Sequence, residues 1–176
     1  MFAAKIRHGR LQIMRAHHHR RWHLDEMFVK INGERHYLWR AVDHEGEVLE
    51  SYVTKTGDKA AALQFLRKSL RRHGRTETIV TDRLASYGAA FKAIGAGCKQ
   101  QTGRWLNNRA ENSHLPFRRR ERAMLRFRRM RSLQKFASLH GSIHNHFNQE
   151  RHLTSRAIYK DRRDAALTAW RSLGAA

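Results

Sequence analysis

The chain has 176 residues and carries 36 Lys and Arg against 15 Asp and Glu, a formal net charge of +21. This length predicts one domain, and a hydrophobic content of 40% suffices for a packed core. A single cysteine excludes disulfide scaffolds and cysteine-ligated zinc sites, and no apolar run is long enough for a membrane span or a secretory signal. The lack of such runs and the single cysteine predict a soluble intracellular protein in a reducing compartment. The excess positive charge predicts that it binds a polyanion, most commonly nucleic acid.

Residues 1–21 show no hydrophobic period and contain three successive histidines followed by two arginines. So basic and simple a tract predicts a solvated, disordered N-terminal arm. A histidine run can also bind metal, but we favour the basic arm.

Residues 22–53 predict three strands joined by two tight turns. The first turn is Asn32-Gly33, a dipeptide in which both residues tolerate positive φ, and the second lies at 44–46. These turns define an antiparallel meander. Its strands are 22–31, 34–43 and 48–53.

From residue 58 onward the hydrophobic period is that of helices, interrupted by a short apolar strand at 78–81. Asp58 is the expected N-cap of the first helix, and Gly74 follows its end. The pattern of residues 98–106 does not decide whether they form a fifth strand. Further helices are predicted at 84–94, at 107–148 in two segments divided near Pro116 or Ser132, and at 155–173. The order βββαβαβ predicts an α/β fold, a mixed sheet flanked by helices, as in the ribonuclease-H-like fold.

Three of the few acidic residues lie where they could hold metal ions. Asp25 is inside the first strand, Asp82 follows the fourth, and Glu111 begins a long helix. Each also has a simpler interpretation, as an arginine-paired strand residue, a helix N-cap and a first-turn acid respectively. Together with the fold order and the charge, they favour a site that binds two divalent ions for phosphoryl transfer.

Four motifs carry a resemblance to a known family: residues 22–26 (WHLDE), 37–43 (YLWRAVD), 81–87 (TDRLASY) and 107–114 (NNRAENSH). They resemble the DDE transposases of bacterial insertion sequences, especially the insertion-sequence six family, and the similarity extends over residues 22–172. The resemblance implies a catalytic, metal-binding triad of Asp25, Asp82 and Glu111. It also implies two Mg²⁺ ions, for which Mn²⁺ would substitute.

The resemblance also implies DNA contacts along the helix that carries Glu111. His114 lies one turn beyond Glu111 and Arg118 two turns beyond it, on the same face. Further arginines of this basic stretch are expected to follow the DNA backbone. They are Arg119, Arg120, Arg122, Arg126, Arg128 and Arg129. The apolar residues interleaved with them, Met124, Phe127 and Phe136, are expected to face the core.

The sequence departs from the family pattern in three places. Only 28 residues lie between Asp82 and Glu111, a somewhat shorter interval than in many relatives. Gly57 stands where relatives usually carry arginine. The N-terminal stretch does not match the helix-turn-helix segment of family members, so we expect a truncated copy that holds the catalytic domain alone.

We therefore expect a DNA-cutting and DNA-joining nucleotidyltransferase, with insertion-sequence ends and target DNA as partners. The resemblance implies a homo-oligomer acting at the nucleoid of the bacterial cytoplasm, with no membrane and no small-molecule substrate. Two alternatives stay open: a catalytically silent DNA-binding remnant, and a ribonuclease-H-type nuclease. The expected organisation is a basic arm (1–21), a DDE catalytic domain (22–150) and a C-terminal helix packed on it (151–176).

Overall fold

The described residues of the computed structural model are 21–74, 76–103, 105–124, 127–147 and 155–174. The predicted N-terminal arm lies outside them, apart from Arg21, which begins the first strand. No helix in these ranges is both long and apolar enough to cross a membrane.

A mixed sheet forms the centre of the protein. Its strands are β1 (Arg21–Ile31), β2 (Glu34–Asp43), β3 (Val48–Thr54), β4 (Thr78–Thr81) and β5 (Gln100–Thr102). Their spatial order is β3-β2-β1-β4-β5. β1, β2 and β3 pair antiparallel, whereas β4 runs parallel to β1 and β5 parallel to β4. The predicted meander and the strands that follow it are confirmed.

Both predicted turns of the meander form for the expected reasons. Asn32 and Gly33 adopt φ values of 51° and 86°, as a two-residue hairpin turn requires. In the second turn, Asp43 Oδ1 accepts hydrogen bonds from the backbone N–H groups of Glu45 and Glu47, each at 2.9 Å. The buried Asp43 carboxylate therefore fixes the turn that leads into β3.

Helices connect and cover the strands. The first begins as predicted after Asp58, whose Oδ1 accepts the N–H of Ala61 at 2.9 Å, and it ends at Gly74 with φ 83°. A short 3₁₀ turn (Gly97–Lys99) precedes β5. The α-helices of the described residues are α1 (Lys59–His73), α2 (Ala85–Ala93), α3 (Asn108–Ala123), α4 (Met130–Phe147) and α5 (Arg156–Gly174).

The sheet is buried on both faces. Because successive strand residues face opposite ways, Leu24 joins a core beneath α1 and α2, whereas Met27 joins a second core beneath α3 and α4. Large members of the first core are Trp22, Trp39, Phe65, Tyr87 and Phe91. Members of the second are Val29, Leu38, Phe117, Phe127 and Leu133.

Helix α4 also protects the sheet edge formed by β3. Asn145 accepts the N–H of Val48 and donates to the carbonyl oxygen of the same residue, both at 2.9 Å. Gln134 accepts the N–H of Val53 and donates to the carbonyl of Ser51, both at 2.9 Å. Two amide side chains thus pair outward-facing backbone groups of an edge strand.

The expected two helical segments of residues 107–148 are confirmed, with the break a few residues before Ser132, and the alternative division at Pro116 is wrong. Helix α3 continues through Pro116 because Ser113 and Phe117, on either side of the proline, are held in the core. The break lies between α3 and α4 instead, where Phe127 bridges Ile31 of β1. Phe127 is buried and Phe136 packs against the same core, as predicted.

The prediction for Met124 is also wrong, because this side chain is 47% exposed at the C-terminal end of α3. Helix α5 contacts α4 through His146 Nε2, which lies 2.8 Å from the Ala166 carbonyl oxygen, and through a tilted ring contact of Trp170 with Phe147, with centroids 5.4 Å apart. Most of its other described side chains are exposed.

Candidate active site

Acidic residues meet where β1 and β4 separate. The parallel pairing of these strands ends at Leu24 and Thr81, so Asp25 and Asp82 are the next residue on each. In the described part of the chain, β1 then has no neighbour on this side until Phe127 bridges Ile31. Asp25, only 8% exposed, therefore lies at the carboxyl end of β4, a position where α/β sheets commonly bind ligands.

Three carboxylates converge at this junction. Oxygen atoms of Asp25, Glu26 and Asp82 all lie within 4.8 Å of one another. Neighbouring residues of a strand face opposite ways, so Asp25 and Glu26 approach Asp82 from the two faces of the sheet. Sequence reasoning missed Glu26. The sequence offered only a weak signal, a second acid directly beside Asp25 in a strand rich in apolar residues, and strand alternation places that acid on the opposite face.

The electrostatics of the cluster are those of acids crowded together. Burial, then the charges of Glu26, Asp82 and Glu111, raises the pKa of Asp25 to about 8. Burial and the charge of Asp82 raise the pKa of Glu26 to about 7, and burial also raises the pKa of Asp82. Such a group is stabilised either by protons or by a cation, and carboxylate oxygens are the ligands that Mg²⁺ and Mn²⁺ favour.

One Asp82 oxygen also has a structural partner. Its Oδ1 accepts the N–H of Leu84 at 3.1 Å, immediately before α2. The helix N-cap interpretation of Asp82 is wrong, because the N-cap of α2 is Leu84 and no side chain caps this helix. The hydrogen bond to Leu84 also does not account for the proximity of Asp25 and Glu26.

Glu111 lies nearby but outside the tight cluster. It is exposed in the first turn of α3 and is not among the residues whose oxygens lie within 4.8 Å of one another, although its charge acts on Asp25. Two buried side chains fasten α3 to the sheet on either side of it. Asn107 donates to the Leu24 carbonyl oxygen at 2.8 Å, and Arg40 donates to that of Ser113 at 2.7 Å. The base of Glu111 is therefore fixed beside Asp25, while its carboxylate is free to rotate.

His114 stands beside Asp25 as an uncharged ring. Its Nδ1 lies 3.7 Å from Asp25 Oδ2. Burial, then the charges of Arg40 and Arg118, lowers the pKa of His114 to about 3. The contact is consequently not an ion pair at neutral pH.

Arg118 is occupied by contacts within the protein. Its Nη1 lies 2.6 Å from Glu121 Oε2, and its Nη2 donates a short hydrogen bond to the Phe28 carbonyl oxygen. The guanidinium therefore links α3 to β1, two helical turns beyond Glu111.

The other predicted DNA-contacting arginines differ from Arg118. Those on α3 and between α3 and α4 point into solvent, and Arg126 lies outside the described residues. The exposed set is Arg119, Arg120, Arg122, Arg128 and Arg129.

The fold and the acidic junction define an α/β protein with acids grouped at the end of a parallel strand pair, and comparison with known proteins supplies the family. A family model described as a DDE domain matches residues 19–150. The chain belongs to the DDE transposases of insertion sequences and contains their catalytic domain.

Similar curated proteins include two transposases of Staphylococcus aureus, those of the insertion sequence-like element IS431mec and of IS257 in transposon Tn4003. Each is 30% identical over 99 residues, which covers 53% of this chain and 44% of the relative. An uncharacterised protein of Yersinia pseudotuberculosis is 32% identical over 76 residues, 42% of this chain and 71% of that protein. The match thus spans less than half the length of the staphylococcal relatives.

Solved structures with the same fold are catalytic cores of retroviral integrases. The HTLV-2 integrase core in complex with magnesium has a TM-score of 0.52 at 13% identity, covering 76% of this chain and 88% of that one. The BIV integrase core has a TM-score of 0.52 at 15% identity, covering 86% and 98%. These cores have the ribonuclease-H-like fold, so the predicted fold class is confirmed.

Proposed function

We propose that this DDE domain catalyses metal-dependent cleavage of DNA strands and their transfer into target DNA. The observation that carries the proposal is the convergence of Asp25, Glu26 and Asp82 at the β1–β4 junction of a DDE-family domain. The raised pKa values of Asp25 and Glu26 support the proposal, because acids crowded in this way are stabilised by a cation.

In this proposal Asp25 and Asp82 hold divalent ions jointly, and Glu111 completes the shell of one ion by rotating its exposed carboxylate inward. Two Mg²⁺ ions, or Mn²⁺ in their place, supply activation of the attacking hydroxyl and stabilisation of the leaving oxygen when bound. The protein's part is to fix the two aspartates on adjacent strands and to hold α3 against them through Asn107 and Arg40.

The proposed reaction needs no covalent enzyme intermediate. In cleavage, a water oxygen bonds to phosphorus, the bond from phosphorus to the 3′ oxygen breaks, and that oxygen takes up a proton. In transfer, the freed 3′-hydroxyl loses its proton, bonds to a phosphorus of the target strand and displaces the target's 3′ oxygen.

DNA would lie along the basic surface that continues from the acidic cluster. His114 is close enough to Asp25 to contact a phosphate bound there, and the exposed arginines of α3 extend the positive surface. We propose insertion-sequence ends and target DNA as partners, at the bacterial nucleoid. We also propose a homo-oligomer, since paired DNA ends require paired active sites.

A direct test incubates the purified chain with radiolabelled duplex DNA that has a free 3′ end and with a target plasmid, in Mg²⁺ or Mn²⁺. A parallel reaction contains a matched RNA–DNA hybrid under the same conditions. We expect joining of the oligonucleotide to the plasmid and no preference for the hybrid. Selective hydrolysis of the hybrid's RNA strand would identify a ribonuclease-H-type nuclease instead. Salt-sensitive DNA binding without cleavage or joining in either metal would identify a silent remnant.

A further inference from the structure

Tyr87 of α2 is a buried polar group without an evident structural purpose. The side chain is 0% exposed, and its hydroxyl has no hydrogen-bond partner of normal geometry in the described part of the chain. Burial of a hydroxyl without a well-formed hydrogen bond is unfavourable relative to burial of a fully hydrogen-bonded one. A phenylalanine would fill the same space without that cost, so packing alone does not explain the tyrosine.

The hydroxyl of Tyr87 is directed at the acidic junction. Burial, then the charges of Glu26, Asp25 and Asp82, raises the pKa of this phenol well above its ordinary value. Of the three acids, Glu26 has the largest effect on this pKa, and its carboxylate lies within reach of the Tyr87 hydroxyl, although the two do not form a hydrogen bond of normal geometry. Its Oε2 is itself buried without a hydrogen-bond partner of normal geometry in the same described residues.

The ring of Tyr87 is held rigidly. It packs edge-on against Trp39, with centroids 5.4 Å apart and planes at 88°. The Trp39 indole is fixed in turn, because its Nε1 donates to Thr54 Oγ1 at 2.7 Å. The hydroxyl therefore cannot turn away to solvent, and it faces Glu26 across the side of the sheet opposite α3.

We propose that Glu26 is a further carboxylate ligand of the divalent ion at the Asp25–Asp82 junction, and that Tyr87 is the residue that positions it. This inference rests on the proposed function. It differs from the implied triad because Glu26 approaches from the α2 face, whereas Glu111 approaches from the α3 face. With a cation bound to one Glu26 oxygen, the Tyr87 hydroxyl would donate to the other, as partners of metal-bound carboxylates commonly do.

The test measures Mn²⁺ binding to the full chain by the electron paramagnetic resonance signal of free Mn²⁺, and thermal unfolding with Mn²⁺ and with EDTA. The variants are Glu26→Gln, Tyr87→Phe, Asp82→Asn and the control Glu34→Gln, which removes an exposed carboxylate at the far end of the β1–β2 hairpin. We expect Glu26→Gln and Tyr87→Phe each to weaken Mn²⁺ binding by roughly 10-fold or more, with Glu34→Gln unchanged.

Thermal unfolding separates a ligand from a merely structural residue. At a pH above the raised values, Glu26→Gln should increase Tm in EDTA, since it removes a buried repelling charge, and should reduce the increase that Mn²⁺ causes. A structural role would instead lower Tm in both conditions. If Glu26→Gln does not fold, the Mn²⁺ affinity of Tyr87→Phe tests the inference.

Wild-type Mn²⁺ affinity in either Glu26→Gln or Tyr87→Phe, beside a loss in Asp82→Asn, would overturn this inference and leave the proposed function standing. Wild-type affinity in Asp82→Asn would overturn the metal site of the proposed function itself.

Discussion

At the scale of single residues, Asp25 and Glu26 set the behaviour of the protein toward protons and cations. Their pKa values are raised from 3.8 to about 8 and from 4.5 to about 7, mainly by burial, then by the charge of Glu26 on Asp25 and of Asp82 on Glu26. A carboxyl group with a raised pKa binds protons more tightly in the folded chain than in the unfolded chain. The fold consequently loses stability as these protons leave.

We therefore predict that, in EDTA, Tm falls as the pH rises from about 4 through about 8, by on the order of 20 °C from these two groups. Asp25→Asn should flatten the fall, because the amide has no proton to lose over this range. Thermal unfolding of both proteins across the pH series measures it. An equal slope in the two proteins would show that Asp25 does not titrate as the geometry requires.

Arg118 and Arg119 are neighbours in sequence with different surroundings. Arg118 is partly buried on Glu121 and the Phe28 carbonyl, whereas Arg119 is exposed. The sequence predicted both as DNA contacts, since a run of arginines carries no sign of which one has a partner within the fold.

This difference predicts a separation of effects. Arg118→Gln should lower the free energy of unfolding by about 1–2 kcal/mol, because it breaks contacts of a partly buried charge. Arg119→Gln should change it by less than about 0.5 kcal/mol, and should instead reduce by about one the slope of log affinity for DNA against log salt concentration. Chemical denaturation and fluorescence anisotropy measure the two effects. A loss of stability in Arg119→Gln, together with a changed salt dependence of DNA binding in Arg118→Gln, would refute this prediction.

At the scale of elements, the packing around Gly57, just before α1, explains why this chain does not carry the arginine that relatives usually have there. A Cβ at this position would lie 2.3 Å from Cε1 of Tyr37. That ring cannot move away freely, since it lies between Phe28 and Trp39, with centroids 5.1 Å and 6.4 Å away. An arginine in place of Gly57 thus conflicts with Tyr37.

We predict that Gly57→Ala lowers Tm by several degrees, on the order of 1–3 kcal/mol of overpacking. The matched control is Gly88→Ala inside α2, where the nearest atom to the new Cβ is Gln100 Oε1 at 3.9 Å. That change should raise stability by about 0.5–1 kcal/mol, because alanine is the better helix former. Differential scanning calorimetry compares them. A Gly57→Ala protein as stable as wild type would show that the Tyr37 ring yields.

Element order and most helix boundaries were predictable from local signals, and the course of the chain through Pro116 was not. Asn32-Gly33 and the Asp58 and Gly74 caps define their turns and helix ends by backbone chemistry alone. The continuation of α3 through Pro116 depends on tertiary packing of Phe117, which no local pattern contains. The edge protection by Asn145 and Gln134 is equally non-local.

The candidate site shows the same division. Asp25 and Asp82 were predictable because a strand pattern places them, and the parallel β1–β4 pairing then brings them together. Glu26 was not predictable as a member, since strand alternation places it on the other face from Asp25. Because β4 ends beside Asp25 and Glu26, both carboxylates nevertheless reach Asp82.

At the scale of the whole molecule, a chain of net charge +21 brings three acids together at one point of its sheet. Exposed arginines of α3 begin close to that point and continue away from it. This distribution suits a polyanion that is held along the basic surface while one phosphodiester is presented to cations at the acidic junction.

The central claim is that this junction cuts DNA with the help of divalent ions. Its most direct test is the rate at which the purified chain nicks supercoiled plasmid DNA in Mn²⁺, compared among wild type, Asp82→Asn, Glu111→Gln and the exposed-carboxylate control Glu34→Gln. We predict Mn²⁺-dependent nicking by wild type and Glu34→Gln at similar rates, and losses of about 100-fold or more in the other two. Undiminished nicking by Asp82→Asn and Glu111→Gln, or no metal-dependent nicking by wild type, would contradict the account.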